Sequence, residues 1–164
     1  MTVTSDLAGL LIRVALREDV PALVALFADD ALGGHGDTAD PSAVREYLVA
    51  FDWIAENPTN TIFVAELDGE VVGTFQTILG RSLSGRGATH LTVAAVQTRA
   101  DVRGRGIGAA MLRFAIERAG ALGASKVKLT SNASRTDAHR FYRRLGFAQS
   151  HAGFTLSLRS EASD

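Results

Sequence analysis

The chain has 164 residues, with 17 basic and 18 acidic side chains, four His and no Cys. That length suits one domain with a substantial core, and 46% hydrophobic with 21% charged residues is ordinary globular usage, which excludes disordered, collagen-like and coiled-coil chains. The lack of Cys removes disulfide frameworks, thiolate metal sites and Cys nucleophiles, and no run reaches the roughly 18 apolar residues that a membrane span needs.

Residues 1–10 hold no basic segment ahead of an apolar run, so no signal peptide is expected and cytoplasm is the default location. Leu10 to Leu16 alternates and predicts a first strand. Glu18-Asp19-Val20-Pro21 opens a helix through Leu23, Leu26 and Phe27 to about Asp30; acidic residues and Pro suit a first helical turn. Residues 31–38 form a Gly-rich loop, and Asp40-Pro41-Ser42 starts a second helix with Val44, Tyr47, Leu48 and Phe51 on one face. Thr61–Leu67 and Val71–Leu79 read as strands joined by Asp68-Gly69-Glu70, an Asp-Gly hairpin signal. After a polar connection, Gly80–Gly87, a third long strand covers Thr89–Thr98. A helix follows from about Ile107 to Leu122, with Ile107, Met111, Leu112, Ala115 and Ile116 as its apolar stripe. Val127–Thr130 is a short strand, Asp137–Leu145 a helix stopped by Gly146, Phe154–Leu158 a final strand, and residues 160–164 a polar tail. The order β-α-α-β-β-β-α-β-α-β predicts a single α/β domain over residues 1–164, with a mixed, mostly antiparallel sheet flanked by helices.

The net charge of −1 hides a split. Residues 1–75 carry 13 acidic and 3 basic side chains, and residues 76–164 carry 5 acidic and 14 basic. A polyanion would prefer the second half and a cation the first. No basic run has interleaved aromatics, so nucleic acid is not an expected partner, and no His, Asp and Glu cluster has the spacing of a metal site.

The sharpest motif is Arg103-Gly104-Arg105-Gly106-Ile107-Gly108, lying between a strand and a helix. Gly at alternate positions leaves backbone amides uncovered, and the helix N-terminus adds free N–H groups and partial positive charge. Together they suit a pyrophosphate. Gly104-x-Gly106-x-x-Ala109 also satisfies the dinucleotide fingerprint, which would make the chain a nicotinamide-binding oxidoreductase. That fingerprint needs an acidic residue roughly 20 positions on. From Arg118 to Thr136 there is none.

The stretch from Val96 to Gly108 resembles the acyl-CoA loop of the GCN5-related N-acetyltransferases (GNAT), whose Q/R-x-x-G-x-G/A pattern is met by Arg103, Gly106 and Gly108. Asn132 to Phe147, with Phe141-Tyr142 and Leu145-Gly146-Phe147, resembles the second signature of that family. The resemblance implies acetyl-CoA as donor and no metal. Backbone groups of Val96, Gln97 and Thr98 would pair with the pantetheine arm, and Arg103, Gly104, Arg105, Gly106, Ile107, Gly108 and Ala109 would hold the pyrophosphate. Asn132 would meet the pantetheine and Arg135 a phosphate. Tyr142 would protonate the leaving thiolate as general acid, and the Val96 amide would polarise the thioester carbonyl.

The general base is the departure. Many relatives carry a Glu where this chain has Ala94, and an Ala accepts no proton. Thr92 and His90 share its face by period two, His90 lying about 13 Å away along a strand; Asp30, His35 and His151 are the other candidates. That Ala favours a non-catalytic acyl-CoA binding or sensing module as the alternative to an enzyme. For the acceptor, Asp29, Asp30, His35, Asp37 and Asp40 make an acidic first loop suited to a cationic amine, such as a polyamine, aminoglycoside or basic side chain. A small-molecule or peptide amine is the expected partner, with a homodimer plausible and no membrane partner. Phe51 and Trp53 could line the acceptor pocket or pack the core, and core is the expectation.

Overall fold

The computed structural model describes residues 7–30 and 36–158. They divide into two compact units, one ending at Leu129 and the other beginning at Thr130. The first unit contains β1 (Leu10–Val14), α1 (Val20–Ala28), α2 (Val44–Glu56), β2 (Asn60–Leu67), β3 (Glu70–Arg81), a single turn α3 (Ser84–Gly87), β4 (Thr89–Thr98), α4 (Ile107–Ala121) and β5 (Lys126–Leu129). Its strands form one sheet in sequence order, β1-β2-β3-β4-β5. Pairs from β1 to β4 are antiparallel and β4–β5 is parallel, so the mixed, mostly antiparallel α/β class holds.

Local chemistry sets the boundaries. The Asp19 carboxylate accepts from the Leu16 amide at 2.7 Å and takes Arg13 in a two-pronged ion pair at 2.7 and 3.0 Å, while Glu66 holds the Arg13 Nε at 2.9 Å. This knot turns the chain out of the sheet at Val14, two residues before the predicted end of the strand. Asp40 caps its own turn, its Oδ1 accepting the Ser42 amide at 2.8 Å. The β2–β3 hairpin turns on Asp68 (φ 51) and Gly69 (φ 86), the paired positive values that a tight hairpin requires.

Adjacent residues of a strand point to opposite faces, so the sheet is covered on both. Val64 packs with Leu23 and Val24 of α1 and Phe51 of α2. Phe63 and Phe75 stack across β2 and β3, and Phe114 of α4 meets both edge-on at 5.2 and 6.1 Å. Met111, Leu112 and Ala115 are fully buried. Ile116 is not part of this stripe: nine residues on, it lies about half a turn from Ile107 and is exposed, and Phe114 takes its place. Trp53, expected in the core, is 64% exposed on α2.

The second unit contains α5 (Thr136–Arg144). The predicted final strand does not form. Residues 151–158 have no ladder partner among the described residues, and Phe154, Leu156 and Leu158 are 83–95% exposed. Alternation alone makes a strand only where a neighbour supplies hydrogen bonds.

Candidate active site

The middle of β4 is irregular. Thr92, Val93 and Ala94 pair with Ile78, Thr77 and Gln76, but Thr74 pairs with Gln97, so Ala95 and Val96 together oppose Phe75. Ala95 has φ 51, a left-handed conformation in a residue that carries a Cβ. Such a conformation costs roughly 1–2 kcal/mol, and strain of this kind gathers at functional sites. The bulge bends β4 and takes two residues out of the regular ladder. No Gly marks it in the sequence, so nothing in the residue pattern announced it.

Past the bulge, β4 runs into the Gly-rich loop. The Arg99 amide donates to the Val72 carbonyl at 2.7 Å, and its guanidinium spans Asp101 (2.6 and 3.0 Å) and Glu70 (3.2 Å). The Arg99 cation holds the Asp101 carboxyl below its usual range. Buried Val102 anchors the intervening turn, Ala100–Val102. Arg103 folds back and donates from Nε to the Thr98 carbonyl at 3.1 Å, while Arg105 is exposed.

Gly104 (φ 78) and Gly106 (φ 87) adopt the left-handed region, and Gly106 is the N-cap of α4. The first bond of that helix runs from the Ala110 amide to the Gly106 carbonyl at 3.0 Å. The amides of Ile107, Gly108 and Ala109 therefore have no backbone acceptor among the described residues. Ile107, 1% exposed, pins this first turn to the core. Free amides, the positive end of a helix dipole and a Gly-lined approach make a place for an anion. The helix begins at Ile107, where the residue pattern put it. The loop opens a parallel β4-α4-β5 crossover, as a dinucleotide site would, but no Asp or Glu lies from Arg118 to Thr136, so no acidic residue stands directly after β5 to hold a ribose.

In the second unit, Tyr142 lies on α5, half-buried, with its ring 5.4 Å from Phe141 and 6.1 Å from Phe147. Burial pushes its phenol above the ordinary tyrosine value, and the Arg135 charge opposes that rise. Asn132 uses Oδ1 within its own turn, accepting from the Ser134 amide (2.9 Å) and hydroxyl (2.7 Å). Its carbonyl accepts from the Arg135 amide at 3.0 Å and contacts His139 Nε2 at 2.9 Å, which orders the entry to α5. Arg135 is the N-cap of that helix.

His90 lies across from Gly80 in the β3–β4 register, so close that a Cβ on Gly80 would fall 2.5 Å from its Nε2. Thr92 sits in the regular part of β4, two residues from Ala94. Asp30 accepts a 2.8 Å bond from the Gln97 side chain and so ties the end of α1 to β4. In the second unit His151 pairs with the neighbouring Ser150 hydroxyl at 2.7 Å, and His35 lies outside the described residues. No group of three metal-ligating His, Asp or Glu side chains occurs among the described residues.

Between α1, α2 and the bulge lies a cavity of about 110 Å³, lined by Phe27, Phe51, Ile54, Ile62, Gln76 and Ala95 among others. Its presence was not legible in the sequence, because the lining comes from five separate elements.

The model of the Acetyltransferase (GNAT) family matches residues 20–147. A solved transcriptional regulator from Bacillus halodurans C-125 is 34% identical, with a TM-score of 0.87 over 90% of this chain and 99% of that one. A predicted acetyltransferase from Clostridium acetobutylicum, solved with acetyl-CoA, shares the fold at 19% identity, with a TM-score of 0.68 over 91% of this chain and 96% of that one. An aminoalkylphosphonate N-acetyltransferase from Salmonella typhimurium is 47% identical over 57 residues, which are 35% of this chain and span 37% of that relative's length. Among the described residues no helix is long and apolar enough to cross a membrane.

Proposed function

Because the chain belongs to the Acetyltransferase (GNAT) family, we propose that it moves the acetyl group of acetyl-CoA to a primary amine of a small molecule or peptide, with both reactants bound at once. The observation that carries this reading is the bulged β4 leading straight into the uncapped amides of α4. Backbone groups of Val96, Gln97 and Thr98 run beside the pantetheine, and the amides from Gly104 to Ala109 take the pyrophosphate. Arg105 adds charge there. Asn132 and Arg135 complete the cofactor contacts.

The chemistry balances without a resident metal. The neutral amine attacks the thioester carbon, forming a C–N bond, and the carbonyl oxygen becomes an oxyanion facing the Val96 amide. Collapse breaks the C–S bond. The thiolate takes a proton from the Tyr142 phenol, the ammonium proton passes to solvent, and the phenolate regains a proton from solvent to close the cycle. A phenol raised by burial stays protonated at neutral pH, which suits a donor. With Ala94 in place of a carboxylate, holding two reactants side by side supplies much of the rate.

Ala94 also favours a second reading, a module that binds acyl-CoA without turnover. Tyr142→Phe separates the two. For the enzyme, kcat falls by one to two orders of magnitude while acetyl-CoA affinity, measured by calorimetry, stays within threefold. Unchanged turnover in that variant removes Tyr142 as the acid.

A further inference from the structure

The cavity beside the bulge carries a statement about the acceptor. We propose that the amine acetylated here bears a compact apolar group of about four to five carbon atoms, and that this group fills the space between α1, α2 and Ala95. The proposal deepens the acetyltransferase reading and rests on it.

Position supports it first. Ala95 lines the cavity, and its neighbour Val96 supplies the amide assigned to the thioester carbonyl. A group held in the cavity therefore sits next to the reacting centre.

Size follows. At about 110 Å³ the space is somewhat smaller than the apolar cavity of about 150 Å³ that accepts benzene. A branched aliphatic tail fits; an aminoglycoside ring system does not.

Polarity decides the class. No charged side chain lines the cavity. Of its polar side chains, the Thr74 hydroxyl is committed to the Phe63 carbonyl at 2.8 Å, and the Tyr47 hydroxyl is held by Asp37 (2.9 Å) and the Thr38 amide (3.1 Å). The Gln76 amide has no hydrogen-bond partner among the described residues. Of the acids that suggested a cationic acceptor, none lines this cavity; Asp30 receives the Gln97 side chain, Asp37 the Tyr47 hydroxyl and Asp40 the Ser42 amide. No carboxylate lines the cavity itself, Asp37 reaching it only through the Tyr47 hydroxyl, so a second cation of a polyamine buried there would lack a direct counter-charge, which is costly. A hydrocarbon tail enters favourably, each buried methylene being worth roughly fourfold in affinity.

The test follows thiol release from acetyl-CoA, which has no protein background because the chain lacks Cys. Isoamylamine, ethylamine and spermidine are compared after calorimetry has established acetyl-CoA binding. The expected result is a kcat/KM for isoamylamine at least tenfold above both others. Ala50→Leu, which adds bulk to the cavity lining, lowers that value at least tenfold and leaves acetyl-CoA affinity unchanged, and so reports on the cavity rather than the fold. Equal or better use of ethylamine or spermidine overturns the proposal and leaves the acetyltransferase reading standing. If acetyl-CoA binds but no amine reacts, saturation-transfer NMR of isoamylamine on the loaded protein decides: absence of binding overturns the proposal. Failure to bind acetyl-CoA removes the parent reading, and the proposal with it.

Discussion

Replacing Gly106 by Ala tests the anion site at its hinge. Gly106 has φ 87, and a Cβ built there meets nothing within 4 Å, so the penalty is purely conformational. A left-handed residue with a Cβ costs roughly 1–2 kcal/mol, and the stiffer unfolded chain recovers about 0.4–1 kcal/mol against a Gly parent. The net loss is about 1 kcal/mol, or ~2–4 °C in Tm for a domain of this size. If the chain relaxes toward negative φ instead, the loop amides up to Gly106 turn away from those of Ile107, Gly108 and Ala109, which the helix holds together. Acetyl-CoA affinity then falls at least tenfold, more than so small a stability loss explains. Gly120→Ala is the matched control. It makes the same chemical change in the same helix, at a position with no positive φ and nothing within 4 Å of the added carbon. A gain of about 0.5–1 kcal/mol is expected there, with cofactor affinity untouched. Melting curves and calorimetry on both variants decide the matter. If Gly106→Ala is as stable as the parent and binds acetyl-CoA equally, neither the strain argument nor the anion site survives.

Asp19→Asn is expected to cost about 2 kcal/mol at neutral pH, since a nearly buried carboxylate would stop receiving Arg13 and the Leu16 amide as a charged acceptor. Arg13 holds the Asp19 carboxyl below its usual range, so its contribution is complete above the unfolded value of about 3.9 and is lost as pH falls through the lower folded value. The deficit of the variant should therefore shrink below about pH 4 in denaturant titrations. Met111→Ala, at a fully buried site in α4, should cost about 2–5 kcal/mol by chemical denaturation. Gly73→Ala places a Cβ 3.0 Å from the Met111 sulfur and 3.2 Å from the Gln97 carbonyl, and should lower Tm where an ordinary strand Gly→Ala would raise it. With the Tyr142 phenol raised by burial, the pH–rate profile should show no alkaline fall until above about pH 10, and an earlier fall would remove Tyr142 as the donor.

What the sequence disclosed depended on whether the signal was local. The hairpin at Asp68-Gly69, the Pro21 helix start and the Gly104 to Gly108 loop are written in neighbouring residues, and each stands where the pattern put it. The bulge at Ala95 is written in no residue, because it arises from the register between β3 and β4. The cavity depends on that bulge and on two helices distant in the chain, so it was invisible too. Phe154, Leu156 and Leu158 show the converse error: an alternating pattern is local, but the partner that makes it a strand is not.

The strand order also bears on how the chain assembles. β2 to β4 form a meander whose neighbours in space are neighbours in sequence, so their pairing closes short loops and carries little entropic cost. β5 can add beside β4 only in parallel, after α4 has crossed over the sheet and seated Ile107, Met111 and Phe114. The Gly104 to Gly106 turn is the pivot of that crossover. The three free amides beside it come together once the first turn of α4 forms, so the capacity for an anion needs that helix and not the meander alone. An anion bound at this turn would stabilise the crossover rather than the meander that precedes it.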